Sequence, residues 1–232
     1  MRKLVLFDID GTILLSSGAG RRAIIAALAE DVGSHESWER IRFDGKTDPQ
    51  ILLELLEAAG HAGRPEAERL HALGLKYVSL LREELGRPGH RTTLMPGILP
   101  LLDRVDLEPC AVPGLLTGNF AEGAALKLRS GGIDPDRFKV GAYGSDSAHR
   151  AELPPIAAQR AAPMFGRVPS GHEVVIVGDT PADVTCGRCI GARAIGVATG
   201  SYSTRELGEA GAHAVFNDLS DTDAVLDAIL GD

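Results

Sequence analysis

The segment Leu4-Val5-Leu6-Phe7-Asp8-Ile9-Asp10-Gly11-Thr12 closes an apolar run with two carboxylates separated by a single residue. With a strand running to Asp10, alternation sends both acid side chains to the same side. Two such carboxylates repel each other, and taking each out of water is costly. A divalent cation offsets that cost for one of them. Protonation offsets it for the other, which then serves as a general acid. An Asp-Gly pair alone reads as a strand end opening a turn, whereas the whole string points to chemistry.

A second apolar run ends in Leu115-Leu116-Thr117-Gly118-Asn119. The Thr117 hydroxyl is suited to donate to a phosphate oxygen, and Gly118 allows a close backbone approach. Asn119 precedes a helix expected from Phe120, whose free N–H groups attract phosphate. Asn119 with Glu122 also has the spacing of a capping box, so this string alone leaves a helix cap and a phosphate cradle both open. A third run ends in Val177-Gly178-Asp179-Thr180-Pro181-Ala182-Asp183. Thr180 suits an N-cap and Pro181 a first helical position. Asp183 then sits where a capping box and the helix dipole also account for it. Asp179 stands on the last strand position and suits a hard cation that takes oxygen ligands.

These strings need a scaffold that brings them together. Apolar or β-branched runs recur at Lys3–Asp10, Cys110–Thr117, Lys139–Tyr143, Glu173–Asp179, Ala194–Ala198 and Ala214–Asn217. Stretches of helical spacing lie between several of them, including Ala121–Ser130, Pro155–Met164 and Ala182–Ile190. Such alternation predicts an α/β fold with a parallel sheet covered by helices on both sides. Right-handed crossovers align the strand C-termini along one edge, where ligands bind. One region departs from this pattern. Ala19–Val32, Pro49–Ala59 and Arg64–Leu85 read as helices with no strand between them, and Gly86-Arg87-Pro88-Gly89 reads as a linker. The expected division is a catalytic core of residues 1–14 and 89–232 with a helical cap of residues 15–88, an insert of domain scale at about seventy residues.

With these strings in this order, the sequence resembles the haloacid dehalogenase-like superfamily of phosphatases. Asp8-Ile9-Asp10-Gly11-Thr12 matches its first motif, Thr117-Gly118-Asn119 its second and Gly178-Asp179-Thr180-Pro181-Ala182-Asp183 its fourth. The helical insert and Phe43-Asp44-Gly45-Lys46-Thr47-Asp48 resemble the branch containing phosphoglycolate phosphatase and β-phosphoglucomutase. The third motif of the family is commonly a lysine in a Lys-Pro-x-Pro string, which is absent here. Arg150, in Arg150-Ala151-Glu152-Leu153-Pro154-Pro155, is its best counterpart, with Arg160 a distant second. The resemblance implies a Rossmann-like core with a cap inserted after the first strand. It further implies that Asp8 becomes phosphorylated, that Asp10 is acid and then base, and that Mg²⁺ is held by Asp8, the Asp10 carbonyl and Asp179, with Asp183 supporting it. Thr117, Gly118, Asn119 and Arg150 would bind the phosphoryl oxygens. Lys46 is open between an exposed residue of the cap loop and one that senses the substrate. The expected activity is hydrolysis of a small phosphorylated metabolite; a mutase or a non-enzymatic metal-binding regulator on the same fold are the alternatives.

Composition fits this picture. The chain has 232 residues, 44% of them hydrophobic, and a formal charge of −8. That negative field disfavours nucleic acid and anionic membranes as partners. Only three cysteines occur, too few and too sparse for a disulfide scaffold. Cys186-Gly187-Arg188-Cys189 has a redox spacing, but it falls inside a helix instead of opening one. No apolar stretch reaches membrane-spanning length, so a cytoplasmic protein is expected; the sequence does not specify an oligomeric state.

Overall fold

The first apolar run forms strand β1 (Lys3–Phe7) in a computed structural model of the chain, which describes residues 1–61, 63 and 66–231. A two-residue strand β2 (Leu14–Leu15) follows, and then the helices α1 (Ala19–Val32), α2 (Asp48–Ala58) and α3 (Ala67–Gly86). The chain returns through strand β3 (Thr93–Leu94) to helix α4 (Ile98–Leu107), strand β4 (Ala111–Thr117), helix α5 (Ala121–Ser130) and strand β5 (Val140–Tyr143). The remainder alternates as α6 (Leu153–Phe165), β6 (Val174–Gly178), α7 (Pro181–Cys186), β7 (Arg193–Val197), α8 (Thr204–Glu209), β8 (Ala214–Phe216) and α9 (Thr222–Leu230). Residues 64 and 65, where the third helix of the insert is expected to start, lie outside the described residues.

Six strands form one sheet in the order β5-β4-β1-β6-β7-β8, and every neighbouring pair is parallel. This is the α/β architecture expected from the alternation. Strand β1 lies between β4 and β6, with Phe7 opposite Leu115 on one side and Val177 on the other. All five of its residues are buried because helices cover both faces of the sheet. Val5, Phe7 and Leu115 pack on one face with Leu101, Leu102, Leu128, Leu226 and Ile229. Leu4, Leu6 and Ile176 pack on the other with Leu153, Ala157 and Ala161.

The register puts the ends of β1, β4 and β6 beside one another, so Asp8, Thr117 and Asp179 emerge from adjacent strands. Strand β1 ends earlier than the sequence pattern suggests. The Asp8 N–H still bonds Val177 O at 3.0 Å, but the Ile13 and Leu14 N–H groups then return to Ile9 O at 2.9 and 3.0 Å. Gly11, at φ 89°, permits this reversal. Asp8 and Asp10 therefore do not share a strand face through simple alternation: Asp8 is buried in the sheet edge, and Asp10 projects from a tight loop.

Helices α1 to α3 have a core of their own, with Ile24, Leu28, Trp38, Leu52, Leu55, Tyr77 and Leu81 buried together. In α1 the buried positions Ala19, Ala23, Ile24, Ala27 and Leu28 make one stripe of helical spacing. Leu14–Leu15 and Thr93–Leu94 pair antiparallel where the chain leaves for this helical unit and where it returns, a ribbon the sequence pattern does not reveal. No helix among the described residues is long and apolar enough to cross a membrane.

Candidate active site

Helical start signals and loop glycines place the acids. Thr180 caps α7 by accepting from the Asp183 N–H at 3.2 Å, while Asp183 accepts from the Thr180 N–H at 3.0 Å. The capping box is therefore real, and it leaves the second Asp183 oxygen to accept from Arg150. Arg150 lies in a short 3₁₀ turn at Arg150–Glu152 ahead of α6 and is itself buried. The same terminal nitrogen of Arg150 also donates to Asp8 Oδ1 at 2.9 Å. Asp179 is buried and accepts from the Thr12 hydroxyl at 3.0 Å. A side chain at Gly11 or Gly200 would collide with its carboxylate.

Asp8, Asp179 and Asp183 each offer a carboxylate oxygen within 4.8 Å of the other two. One buried guanidinium faces these three acids, so negative charge is left over. Burial pushes the Asp8 carboxyl up to about 7; Arg150 opposes that rise, and Asp183 and Asp10 add to it. Asp179 is pushed well above the usual carboxylate range, by burial first and then by Asp183 and Asp8. Burial alone would lower the Arg150 value, but Asp183 and Asp8 more than reverse this, so the guanidinium stays charged. Three buried oxygen donors short of positive charge fit a hard divalent cation such as Mg²⁺.

Asp10 lies beside this cluster and is held from the other side. Lys127 Nζ, from α5, donates to Asp10 Oδ1 and Oδ2 at 2.8 and 2.6 Å. Asn119 Nδ2 donates to Asp10 Oδ2 at 2.8 Å and to Thr117 Oγ1 at 2.7 Å. The capping box of Asn119 with Glu122 does not form. The N-cap of α5 is Phe120, whose N–H donates to Asp48 Oδ2 at 2.8 Å, and the Asn119 amide is turned toward the acids. At Gly118 the close backbone approach is to the chain itself, because a Cβ there would collide with the Lys46 carbonyl.

The loop from Phe43 to Asp48 closes over the sheet edge. Asp48 N–H donates to Gly118 O at 2.7 Å, Thr47 Oγ1 donates to Ala148 O at 2.7 Å, and Ser201 Oγ donates to Asp44 Oδ1 at 3.2 Å. Beneath it lies a cavity of about 250 Å³ lined by Asp8, Asp10, Thr117, Gly118, Asn119, Arg150 and Asp179, together with Arg21, Phe43, Lys46, Asp48 and Tyr77. Lys46 is on its wall with Nζ paired to Glu54. Asp183 backs the site from behind Arg150. Arg160, by contrast, is exposed and bonded to Asp146 at 2.7 Å. Cys186 and Cys189 are both free thiols, with Cys186 buried and Cys189 exposed.

A family model for haloacid dehalogenase-like hydrolases matches residues 2–191. The chain belongs to the haloacid dehalogenase-like hydrolase family. It is 28% identical over 229 residues to a phosphoglycolate phosphatase of Rhodospirillum rubrum, a match covering 95% of this chain and 89% of that protein. The fold of this hydrolase is also that of a hydrolase from Pseudomonas syringae, with a TM-score of 0.72, 23% identity and all of both chains covered. CbbY from Rhodobacter sphaeroides in complex with phosphate shares it too, with a TM-score of 0.71, 17% identity, and 95% of this chain and 96% of that one covered.

Lys127 is the residue of the site that motif reading misses. A lysine in the middle of a helix looks like ordinary surface charge. The available signal is its place in the helical period, because Ala124 and Leu128 are buried in α5 and Lys127 falls on the same stripe.

Proposed function

We propose that this hydrolase is a Mg²⁺-dependent phosphatase acting on a small phosphorylated metabolite, with Asp8 as the nucleophile. The observation that carries the reading is the convergence of three buried carboxylates, Asp8, Asp179 and Asp183, with Arg150, where Asp8 and Asp179 line one small cavity together with Asp10 and Arg150. Asp8 attacks phosphorus in line, and the bond to the leaving oxygen breaks as Asp10 delivers a proton to that oxygen. Asp10 then takes a proton from the water that hydrolyses the aspartyl phosphate. Arg150, Thr117 and Asn119 surround the position of the phosphoryl oxygens and stabilise the charge they gather. Asp8, the Asp10 carbonyl and Asp179, with Asp183 supporting, would hold Mg²⁺, which when bound would neutralise the charge gathered at the site.

Residues 15–88 are assigned as the cap, which sizes the cavity and places Lys46 at its wall. The relative from Rhodospirillum rubrum makes phosphoglycolate the first candidate substrate, and sugar phosphates follow. A cytoplasmic setting without nucleic-acid or membrane partners suits such an activity. The test is phosphate release from a panel of phosphometabolites, with and without Mg²⁺, by the native protein and by Asp8→Asn. Turnover that needs Mg²⁺ and is abolished in the variant is expected. Unchanged release by Asp8→Asn overturns the covalent mechanism, and equal rates in EDTA overturn the metal assignment.

A further inference from the structure

Lys127 is buried, and its ammonium sits between two groups of the site. An ammonium has three N–H donors, and three acceptors surround this one: Asp10 Oδ1 at 2.8 Å, Asp10 Oδ2 at 2.6 Å and Asn119 Oδ1 at 2.6 Å. No donor is left over for a substrate. The Asn119 amide completes a ring by donating back to Asp10 Oδ2 at 2.8 Å, and its orientation is pinned by the Thr117 hydroxyl at 2.7 Å. Both oxygens of Asp10 are thus fixed, although its side chain is 40% exposed toward the cavity.

The surroundings are shaped to admit this lysine. Gly20 of α1 faces its head, and a Cβ at that position would lie 3.3 Å from Lys127 Nζ and 3.6 Å from the Tyr77 hydroxyl. Asp48, from the helical unit, accepts from the N–H of Phe120, the N-cap of the helix that carries Lys127. Lys127 is distinct in place and contacts from Arg150, which serves Asp8 and Asp183.

Resting on the phosphatase reading, we infer that Lys127 is a positioning residue that, with Asn119, fixes the Asp10 carboxyl for proton transfer to the leaving oxygen. As the Asp8–phosphorus bond forms and the ester bond breaks, the proton of Asp10 passes to the departing oxygen. The carboxylate left behind stays within the same ring of donors. Lys127 acts on the departure of the leaving group and not on the binding of phosphate.

The test compares p-nitrophenyl phosphate, whose leaving group departs readily without a proton, with phenyl phosphate, whose leaving group is much more basic. Lys127→Met should lower kcat/KM on phenyl phosphate about tenfold or more beyond its effect on p-nitrophenyl phosphate. The loss should lie in kcat, and the double variant with Asp10→Asn should be no slower than Asp10→Asn alone. Gly20→Ala, which crowds the ammonium while suiting a helix, should show a smaller loss with the same selectivity. Equal losses on both esters, or additivity with Asp10→Asn, overturn the inference. A crystal structure of Lys127→Met gives a readout independent of turnover: the Asp10 carboxylate should leave Asn119, and an unmoved carboxylate overturns the positioning role. Absence of phosphate release by the native protein would defeat the phosphatase reading, while that structure still decides the role of Lys127.

Discussion

Arg150 meets Asp8 at 2.9 Å and pairs with Asp183, so one guanidinium restrains both the proposed nucleophile and a second buried acid of the cluster. The family more often has a lysine for this charge. A guanidinium offers donors to several acceptors at once, and it stays charged at any working pH. Arg150→Ala should lower kcat/KM on the order of a hundredfold or more, as expected when a charge-assisted contact to the transferring group is lost. Arg150→Lys should retain measurable activity, and Arg160→Ala should be close to native because Arg160 is exposed and bonded to Asp146. Steady-state rates for the three variants on one substrate, with thermal melts as a folding control, make the comparison. A silent Arg150→Ala beside an inactive Arg160→Ala would place the cation on the wrong residue.

Docking of the helical unit depends on a short segment at the start of α2. Thr47 and Asp48 bond the backbone of Gly118, Phe120 and Ala148, so the loop carrying Lys46 is tied to the loop carrying Thr117 and Asn119. This contact buries a carboxylate. The Asp48 value rises from 3.8 to about 6, through burial first, opposed by Lys127 and the Phe120 N–H. A carboxyl raised on folding adds stability that is fully present below its unfolded value and is lost as pH climbs through the folded one. Asp48 therefore favours the folded state most below about pH 4 and loses that contribution by about pH 7. Asp48→Asn keeps an oxygen for Phe120 without ionising. It should exceed the native protein in stability at pH 8 by up to about 3 kcal/mol, the equivalent of roughly two pKa units, with the gain shrinking toward pH 5. Urea titrations at the two pH values check this; a gain that grows on acidification contradicts the assignment.

Elements with strong local signals were legible in the sequence. Helices α1 and α5 span the residues that their spacing marks, because each pairs a clear apolar stripe with breakers such as Gly33 and Gly131. The ends of β1, β4 and β6 were legible because a buried apolar run that ends in Asp or Thr is costly without a partner. Contacts made across the chain were not. Leu14–Leu15 and Thr93–Leu94 are too short for any periodic pattern, and they pair only because the fold brings them together. Local spacing leaves Asn119 open between a helix cap and a phosphate cradle; the cap position falls instead on Phe120, whose N–H donates to Asp48, 72 residues away in the chain. The link between Lys127 and Asp10 spans more than a hundred residues, beyond the reach of local spacing.

At the scale of the whole molecule, the sheet collects more buried negative charge at one edge than its own cations balance. Burial and mutual repulsion hold Asp8 at about 7 and Asp179 well above the usual range. A metal ion has to displace those protons, so Mg²⁺ affinity should rise between pH 6 and pH 8, with protons released on binding. Calorimetry in buffers of different ionisation enthalpy measures both, and a pH-independent affinity without proton release would count against the three acids as its ligands. Mg²⁺ at about a hundredfold over its dissociation constant should also stabilise the fold by about 2.7 kcal/mol.

The antiparallel ribbon of Leu14–Leu15 with Thr93–Leu94 has a consequence for how such a molecule changes over time. It fastens the departure and return points of the helical excursion side by side, so β1 and β4 find each other whatever lies between them. The entropy of closing that excursion grows only with the logarithm of its length, about 0.6 kcal/mol for each doubling. Segments of other lengths can therefore be spliced in at this clasp with little thermodynamic penalty. Variation within the excursion leaves the strand register that sets Asp8 beside Thr117 and Asp179 unaltered.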